Sequence, residues 1–253
     1  MPEDEKLPLT THLDELRRRL IICLCAVGIG FVISYVFSKR LFEILMQPLL
    51  AAMPPEEKLI YTGLPEAFFT YLKVALLAGV LLSVPVILYQ LWMFIAPGLY
   101  DREKRLVLPV VFLSSVFFLG GALFGYFIVF PFGFKFFMGF ASDYVKPLPA
   151  MKEYLGFSSK LLFAFGIVFE MPLFVTFLAK LGIVNVNFLK TKRKYAILLF
   201  FVFSAILTPP DVVTQVMMAG PLIVLYEVGI LGARVFGKKP AKADAKEAQE
   251  SPG

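Results

Sequence analysis

The chain has 253 residues, of which 58% are hydrophobic and only 17% are charged, and its formal net charge at pH 7 is +6. Soluble domains carry about 25% charged residues, so the composition excludes an ordinary soluble protein and predicts an all-α, polytopic integral membrane protein. In such a protein the excess of lysine and arginine sets orientation and does not indicate nucleic-acid binding. One histidine, two cysteines and the absence of a GxxxxGK[ST] motif argue against haem, zinc and nucleotide sites, so we expect no metal or cofactor.

The N-terminal segment, residues 1–19, is predicted to be a cytoplasmic amphipathic helix. Its leucines recur at helical spacing from Leu9 to Leu20, and its other faces carry charged side chains. A helix of this kind that leads directly into an apolar run lies along the membrane interface. Residues 20–236 are predicted to form a six-helix transmembrane domain, and the charged residues 237–253 a disordered cytoplasmic tail.

Six apolar runs are predicted to be transmembrane helices, the last two of them short: residues 20–38, 67–96, 106–130, 155–181, 195–207 and 212–233. Pro85 is expected to kink the second run. The fifth run is unusual, because 13 residues cover about 20 Å of helix while the apolar core of a bilayer is about 30 Å thick. This run is therefore either re-entrant, or it spans a bilayer that thins around it.

The segments between the runs carry weaker signals. Residues 42–50 are half apolar and are expected to cover the membrane surface. The Phe-rich residues 132–154 are interpreted as an interfacial loop that follows the end of the third run at Pro131. Gly121 and Gly125 stand four residues apart in that run, which predicts a face for close helix packing.

The distribution of basic residues predicts the orientation of the chain. With six spans, both termini lie on one side of the membrane. The segments on that side carry 16 lysines and arginines, whereas the segments on the other side carry 6. Both termini are therefore predicted to be cytoplasmic, which places Glu15 and Glu103 on the same face.

A short charged turn separates the second and third runs. Pro97 and Gly98 end one helix, and Asp101 is typical of the N-cap of the next. Glu103 is flanked by three basic residues within this turn. A carboxylate kept in a basic turn of a membrane protein indicates a site that holds a cation. The structural alternative is that Glu103 balances its basic neighbours and that Glu15 pairs with Arg19 one helical turn away.

Four motifs are similar to those of a known family. They are residues 12–20 (HLDELRRRL), 83–105 (SVPVILYQLWMFIAPGLYDREKR), 164–172 (AFGIVFEMP) and 207–215 (LTPPDVVTQ). In this order and at this spacing they resemble the TatC proteins, the multispanning receptors of the twin-arginine translocase, over residues 7–236.

The resemblance implies a cup-shaped protein of six helices in the bacterial cytoplasmic (inner) membrane, without enzymatic activity. It implies recognition of signal peptides that carry consecutive arginines, and TatA-like and TatB-like single-span partners. It also implies homo-oligomers within a receptor complex. Cargo would cross the membrane already folded, driven by the proton-motive force.

The resemblance also assigns site residues. Glu15 and Glu103 would bind the arginine pair, because carboxylates satisfy the planar fork of a guanidinium and lysine cannot reproduce that geometry. The residues around them in the motifs are Arg17, His12, Phe94 and Leu99. Glu170, near the middle of the fourth run, would form a polar site within the membrane. The residues assigned to contact with a partner helix are Thr208, Gln215 and Asp211.

Structural interpretations stand beside these assignments. Arg17 is also suited to anchoring at the membrane surface and Phe94 to apolar packing, while Glu170 can bond to backbone freed by Pro172. Thr208 and Asp211 can cap the helix ends around their prolines. Lysines and a glutamate in or near the spans are assigned no role, namely Lys73, Lys160 and Glu227; the lysines are placed to reach the outer interface.

Two other classes of protein remain open from the residues alone. A secondary transporter of small solutes would show inverted repeats and discontinuous spans around a central site. The short hairpin near residue 208 is one broken element, and the first half of the chain has no counterpart. An intramembrane protease would need a nucleophile and a base inside the membrane, but the single histidine, His12, is predicted to be cytoplasmic.

Overall fold

A computed structural model describes residues 9–54, 59–95, 107–141, 147–207 and 212–237. The chain divides into two compact units, Met1–Phe163 and Ala164–Gly253, and each is described by itself. Across the described ranges the secondary structure is helical, with one isolated β-bridge between Ile60 and Ala150 and no named strand. The all-α prediction is confirmed.

Nine α-helices follow one another along the described residues. They are α1 (Leu9–Val36), α2 (Ser38–Leu50), α3 (Glu66–Ile95), α4 (Val107–Phe124), α5 (Phe130–Met138), α6 (Met151–Phe169), α7 (Met171–Leu181), α8 (Val186–Leu207) and α9 (Val212–Phe236). Pro85 lies inside α3, which continues through it as one helix of 30 residues. Pro48 and Pro221 lie inside α2 and α9 in the same way.

Five stretches of helix are long and apolar enough to cross a membrane: Leu13–Val36, Glu66–Ile95, Leu108–Met138, Met151–Leu181 and Val212–Phe236. The fifth predicted span, residues 195–207, forms the end of α8, whose first half carries the basic residues of 190–194. These charges keep α8 out of the group of five. The count of six spans therefore stays a prediction.

The third span was predicted to end at Pro131, and this prediction was wrong. A π-helical turn, Gly125–Val129, joins α4 directly to α5, which continues to Met138. Proline is tolerated in the first turn of a helix, where its missing N–H has little effect, and Pro131 stands in the first turn of α5. The predicted interfacial loop was therefore wrong over residues 132–138, and the α-helix of the fourth span begins at Met151.

Helix α2 packs in the first unit with Phe42, Leu45 and Leu49 buried. Because Pro48 has no N–H, the carbonyl of Ile44 has no helical partner. The hydroxyl of Tyr126 donates to this oxygen at 2.5 Å, and the hydroxyl of Tyr154 donates to the next carbonyl, that of Leu45. Two side chains from later spans thus bond to the backbone of α2, and the hydroxyl of Tyr126 replaces the donor that Pro48 lacks.

Helices α1 and α3 approach each other closely in the first unit. A Cβ atom on Gly30 would lie 2.6 Å from the carbonyl oxygen of Gly79, and a Cβ on Gly79 would lie 2.6 Å from the amide nitrogen of Phe31. Only glycine permits backbones to meet at this distance. The predicted pair, Gly121 and Gly125, is also buried, in agreement with its assignment to a packed face.

In the second unit, α7 packs against α9 through small residues. A Cβ on Gly229 would lie 3.3 Å from the Cα of Pro172, and Gly232 faces the hydroxyl of Thr176. That hydroxyl donates to the carbonyl of Pro172 at 2.6 Å. Helix α7 ends at Gly182, whose φ of 79° is left-handed, a conformation that glycine adopts without steric cost.

Candidate functional site

The candidate site begins with Glu15 on α1. The amphipathic segment and the first apolar run form one continuous helix, so Glu15 and Arg19 stand one turn apart on the same face. Arg19 donates to Oε1 of Glu15 from Nε at 3.0 Å and from Nη2 at 2.5 Å. The exposed fraction of the side chain is 32% for Glu15 and 17% for Arg19. The charge pair considered as the structural alternative is therefore present.

The same guanidinium reaches a second helix. Arg19 donates from Nη1 to Oε1 of Gln90 on α3 at 3.2 Å. Glu15 and Gln90 thus place two acceptor oxygens around one guanidinium, at the edge of a groove of about 570 Å³. The groove is lined by Asp14, Glu15, Arg18, Arg19, Ile22, Tyr89, Gln90 and Met93. This acceptor set has the chemistry that an arginine side chain requires.

The structure describes some of the other residues predicted for this site and not others. His12 lies in α1. Arg17 is exposed on α1 and lines a neighbouring groove with Asp14, Arg18, Ile21 and Ile22. Phe94 is half-buried at the end of α3, one residue beyond Met93. Leu99 and Glu103 fall outside the residues that the structure describes, so the pairing of Glu15 with Glu103 stays a prediction.

Glu170 lies where the fourth span is interrupted. It separates α6 from α7, and its backbone N–H donates to the carbonyl of Ile167 at 3.1 Å. Its own carbonyl accepts from Phe174 at 2.9 Å, so the chain re-enters a helix directly after it. The side chain is half-buried. The polar residue therefore coincides with a break in the helix, two residues before Pro172.

Gln215 is the described member of the predicted partner contact. It is half-buried on α9, and its Nε2 donates to the carbonyl of Phe201 on α8 at 3.0 Å. This bond joins the two helices of the last hairpin. Thr208 and Asp211 lie outside the described residues, so the patch that they were predicted to form with Gln215 is not placed.

Sequence reasoning missed two contacts, one in the candidate site and one in the second unit. Gln90 was quoted within a motif but was not assigned; a lone amide in an apolar run was the signal that could have identified it. Glu227, which was assigned no role, accepts from Arg193 in two bonds of 2.8 Å between α9 and α8. Among the described residues no group of three or more histidine, cysteine, aspartate or glutamate side chains could hold a metal ion.

The long apolar helices, their glycine-mediated packing and the polar groups at helix ends and breaks define a class of protein. It is a multi-pass helical membrane protein whose candidate site places the guanidinium of Arg19 between two acceptor side chains.

The comparisons with known proteins identify the family within that class. The sequence model described as Sec-independent protein translocase protein (TatC) matches residues 11–221. The chain belongs to the TatC family and is therefore a component of a Sec-independent protein translocase.

Individual members of the family match this chain over almost its full length. A TatC protein from Desulforapulum autotrophicum is 63% identical, covering 98% of this chain and 92% of that one. The TatC protein of Escherichia coli is 39% identical, covering 93% and 92% respectively. A crystal structure described as the twin arginine translocase receptor TatC superposes with a TM-score of 0.78 at 44% identity, covering 89% of this chain and 99% of that chain. The predicted family, fold class and multi-pass membrane location are confirmed.

Proposed function

We propose that this chain is the receptor subunit that binds twin-arginine signal peptides at the cytoplasmic face of the membrane. The observation that carries the proposal is the guanidinium held between Glu15 and Gln90 at the edge of an open groove. The solved relatives described as twin-arginine translocase receptors support it.

Discrimination between arginine and lysine follows from the geometry of the acceptors. A guanidinium presents several N–H donors in a rigid plane, whereas an ammonium group is a compact point charge. A hydrogen bond to a charged group is worth about 1.5–3 kcal/mol. Glu15 offers one such acceptor and Glu103, in the basic turn after α3, offers a second. Two contacts of this kind are sufficient to separate an Arg-Arg peptide from a Lys-Lys peptide.

The rest of the receptor follows from the same assignment. The chain works with TatA-like and TatB-like single-span proteins, forms oligomers in a receptor complex and exports folded cargo with the proton-motive force. Residues 1–19 form the cytoplasmic helix and 237–253 the tail, with α8 completing six spans and both termini cytoplasmic. The end of the last hairpin, with Thr208, Gln215 and Asp211, contacts the partner helix.

The test of the proposal is site-specific photocrosslinking from position 103 to a peptide that carries consecutive arginines. The expected result is strong crosslinking that depends on the arginines, with a Lys-Lys peptide of otherwise identical sequence as the control. Equal crosslinking of both peptides, in protein shown to be folded, would return Glu103 to the role of a structural charge.

Glu170→Ala is expected to reduce transport of a twin-arginine substrate while peptide binding at Glu15 and Glu103 is kept. A carboxyl group within a span is costly and is retained by default for function or for an internal partner. Transport assays with membrane vesicles measure the first effect, and peptide crosslinking measures the second. Glu153→Gln, at the start of the same span, is the control. Wild-type transport by Glu170→Ala would remove Glu170 from the transport function.

A further inference from the structure

A second cavity lies in the first unit, away from Glu15, between the beginnings of α3 and α6. Its volume is about 710 Å³. Both helices start at this end, with Glu66 and Met151. The cavity runs from there along one face of each helix. Neither the proposed receptor function nor the family assignment uses it.

The cavity carries two lysines and an apolar wall. Lys152 lines the end at which the helices begin, and Lys73 lies about two turns further along α3. Leu76, Leu77 and Val80 of α3 and Phe163 of α6 continue the lining beyond Lys73. From Lys73 to Val80 the helix rises about 10 Å, so a hydrocarbon wall of that length extends beyond the cations.

The carboxylate of Glu66, at the end of the cavity where the helices begin, accepts hydrogen bonds from neutral donors. Oε2 of Glu66 accepts from the amide and hydroxyl of Thr62 and from the amide of Gly63, and Oε1 accepts from the amide of Lys152 at 3.0 Å. The two lysine side chains are exposed and form no ion pair with the described residues. Two lysines against one carboxylate leave a net positive charge at the cavity.

Backbone hydrogen bonds fix the two segments that precede the helices of the cavity. Ile60 donates to the carbonyl of Pro149 at 3.1 Å, and Met151 donates to the carbonyl of Ile60 at 2.9 Å. These bonds and the Glu66 contacts join the segment before α3 to the segment before α6. A preformed site of this kind costs little ordering of the protein when a ligand binds.

We propose that this cavity binds one anionic phospholipid, with the phosphodiester between Lys73 and Lys152 and an acyl chain along the apolar wall. Basic pockets between transmembrane helices on the cytoplasmic side hold anionic head groups; this cavity offers the same groups at the predicted outer ends of the helices, and ammonium groups bind phosphate as point charges. A twin-arginine peptide is the other candidate occupant, but its own positive charge opposes entry past two lysines. The surrounding bilayer supplies the lipid at high local concentration.

Native mass spectrometry of the full-length protein tests the proposal. The protein is equilibrated with phosphatidylglycerol and phosphatidylcholine of identical acyl chains. We expect one retained phosphatidylglycerol per chain and a preference of about tenfold or more over phosphatidylcholine. The double variant Lys73→Gln/Lys152→Gln loses this preference. Lys160→Gln keeps it, because Lys160 is exposed on α6 but does not line the cavity.

A second variant tests the apolar part with both lysines intact. Gly156 lines the cavity, and a Cβ added to it meets no atom within 4 Å. Gly156→Leu therefore fills the cavity without a clash of its Cβ and is expected to abolish lipid retention. Gly28→Leu is the control, since Gly28 also has open space around it but lies on α1.

Other outcomes would overturn the proposal. Equal retention of the two lipids by the wild type would do so, as would an unchanged preference for phosphatidylglycerol in the double variant or retention of phosphatidylglycerol by Gly156→Leu. Release of the lipid by excess inorganic phosphate would show that the cavity binds the free anion. Release by a twin-arginine peptide, with wild-type retention in the presence of a Lys-Lys peptide, would assign the cavity to the peptide. Because peptide crosslinking at position 103 is a separate measurement, failure here leaves the receptor proposal unaffected.

Discussion

Replacing Glu15 with glutamine is expected to weaken the binding of a twin-arginine signal peptide roughly tenfold to a hundredfold, the equivalent of one lost hydrogen bond to a charged group. Glutamine keeps the size of the side chain and one carbonyl oxygen but removes the charge that a guanidinium requires. Export of a twin-arginine substrate falls accordingly, and Glu103→Gln has an effect of the same size. The binding of a labelled peptide to membranes measures the first effect directly.

Two neighbouring variants separate the role of the carboxylate from that of the ion pair. Arg19→Gln leaves Glu15 in place and removes the guanidinium that occupies its Oε1, so peptide binding is expected to be kept or strengthened. Asp14→Asn removes a carboxylate from the same groove and is expected to bind the peptide as the wild type does. If Arg19→Gln weakens binding as much as Glu15→Gln, the intact pair is a structural element of α1 and the receptor role of Glu15 is lost.

Gly30→Ala is expected to destabilise the first unit by about 1–3 kcal/mol, the usual range for overpacking. The added Cβ would lie 2.6 Å from the carbonyl oxygen of Gly79 and 3.1 Å from its Cα. Both are backbone atoms, so α1 and α3 must move apart. Thermal unfolding of the purified protein in detergent measures the loss.

Gly28→Ala, two residues earlier on α1, is the matched control for Gly30→Ala. No atom lies within 4 Å of the added Cβ, and alanine is favoured over glycine inside a helix by about 0.5–1 kcal/mol. Stability is therefore expected to be unchanged or raised. Separation of α1 from α3 should also move the acceptor oxygen of Gln90 away from Glu15, so Gly30→Ala should bind peptide less tightly than Gly28→Ala. Equal stability of the two variants would contradict the close approach of the helices.

The helical architecture could be predicted from the sequence because long apolar runs have few alternatives inside a membrane. Charged and proline-containing segments gave most helix ends to within a few residues, as for α3 and α9. The predicted helix end at Pro131 was wrong. Proline breaks the interior of a helix but is tolerated in its first turn. The π-helical turn that precedes Pro131 has no recognisable residue pattern in the sequence. The length of α8 is also ambiguous, since its basic first half and apolar second half form one helix.

The candidate site could be predicted only as separate residues. The i, i+4 spacing of Glu15 and Arg19 predicted their ion pair. Their contact with Gln90 depends on how α1 crosses α3, and this crossing is set by Gly30 and Gly79. The small-residue rule identified Gly121 and Gly125 from a spacing within one helix, whereas a glycine that meets a glycine on another helix has no spacing to recognise. Lys73 and Lys152 line the second cavity and Lys160 does not. This difference likewise depends on tertiary structure and could not be predicted from the sequence.

The two tyrosine hydroxyls bonded to α2 have a consequence for synthesis of the chain. Ile44 and Leu45 are made early, but Tyr126 follows Ile44 by 82 residues and Tyr154 follows Leu45 by 109. Until Tyr126 leaves the ribosome, the carbonyl of Ile44, which Pro48 deprives of its helical donor, depends on water, so α2 is expected to stay at the hydrated surface. The helix can dock only after the third span and the start of the fourth have been inserted. Completion of the first unit is therefore a late event in biogenesis, although more than half of its residues are translated before Tyr126.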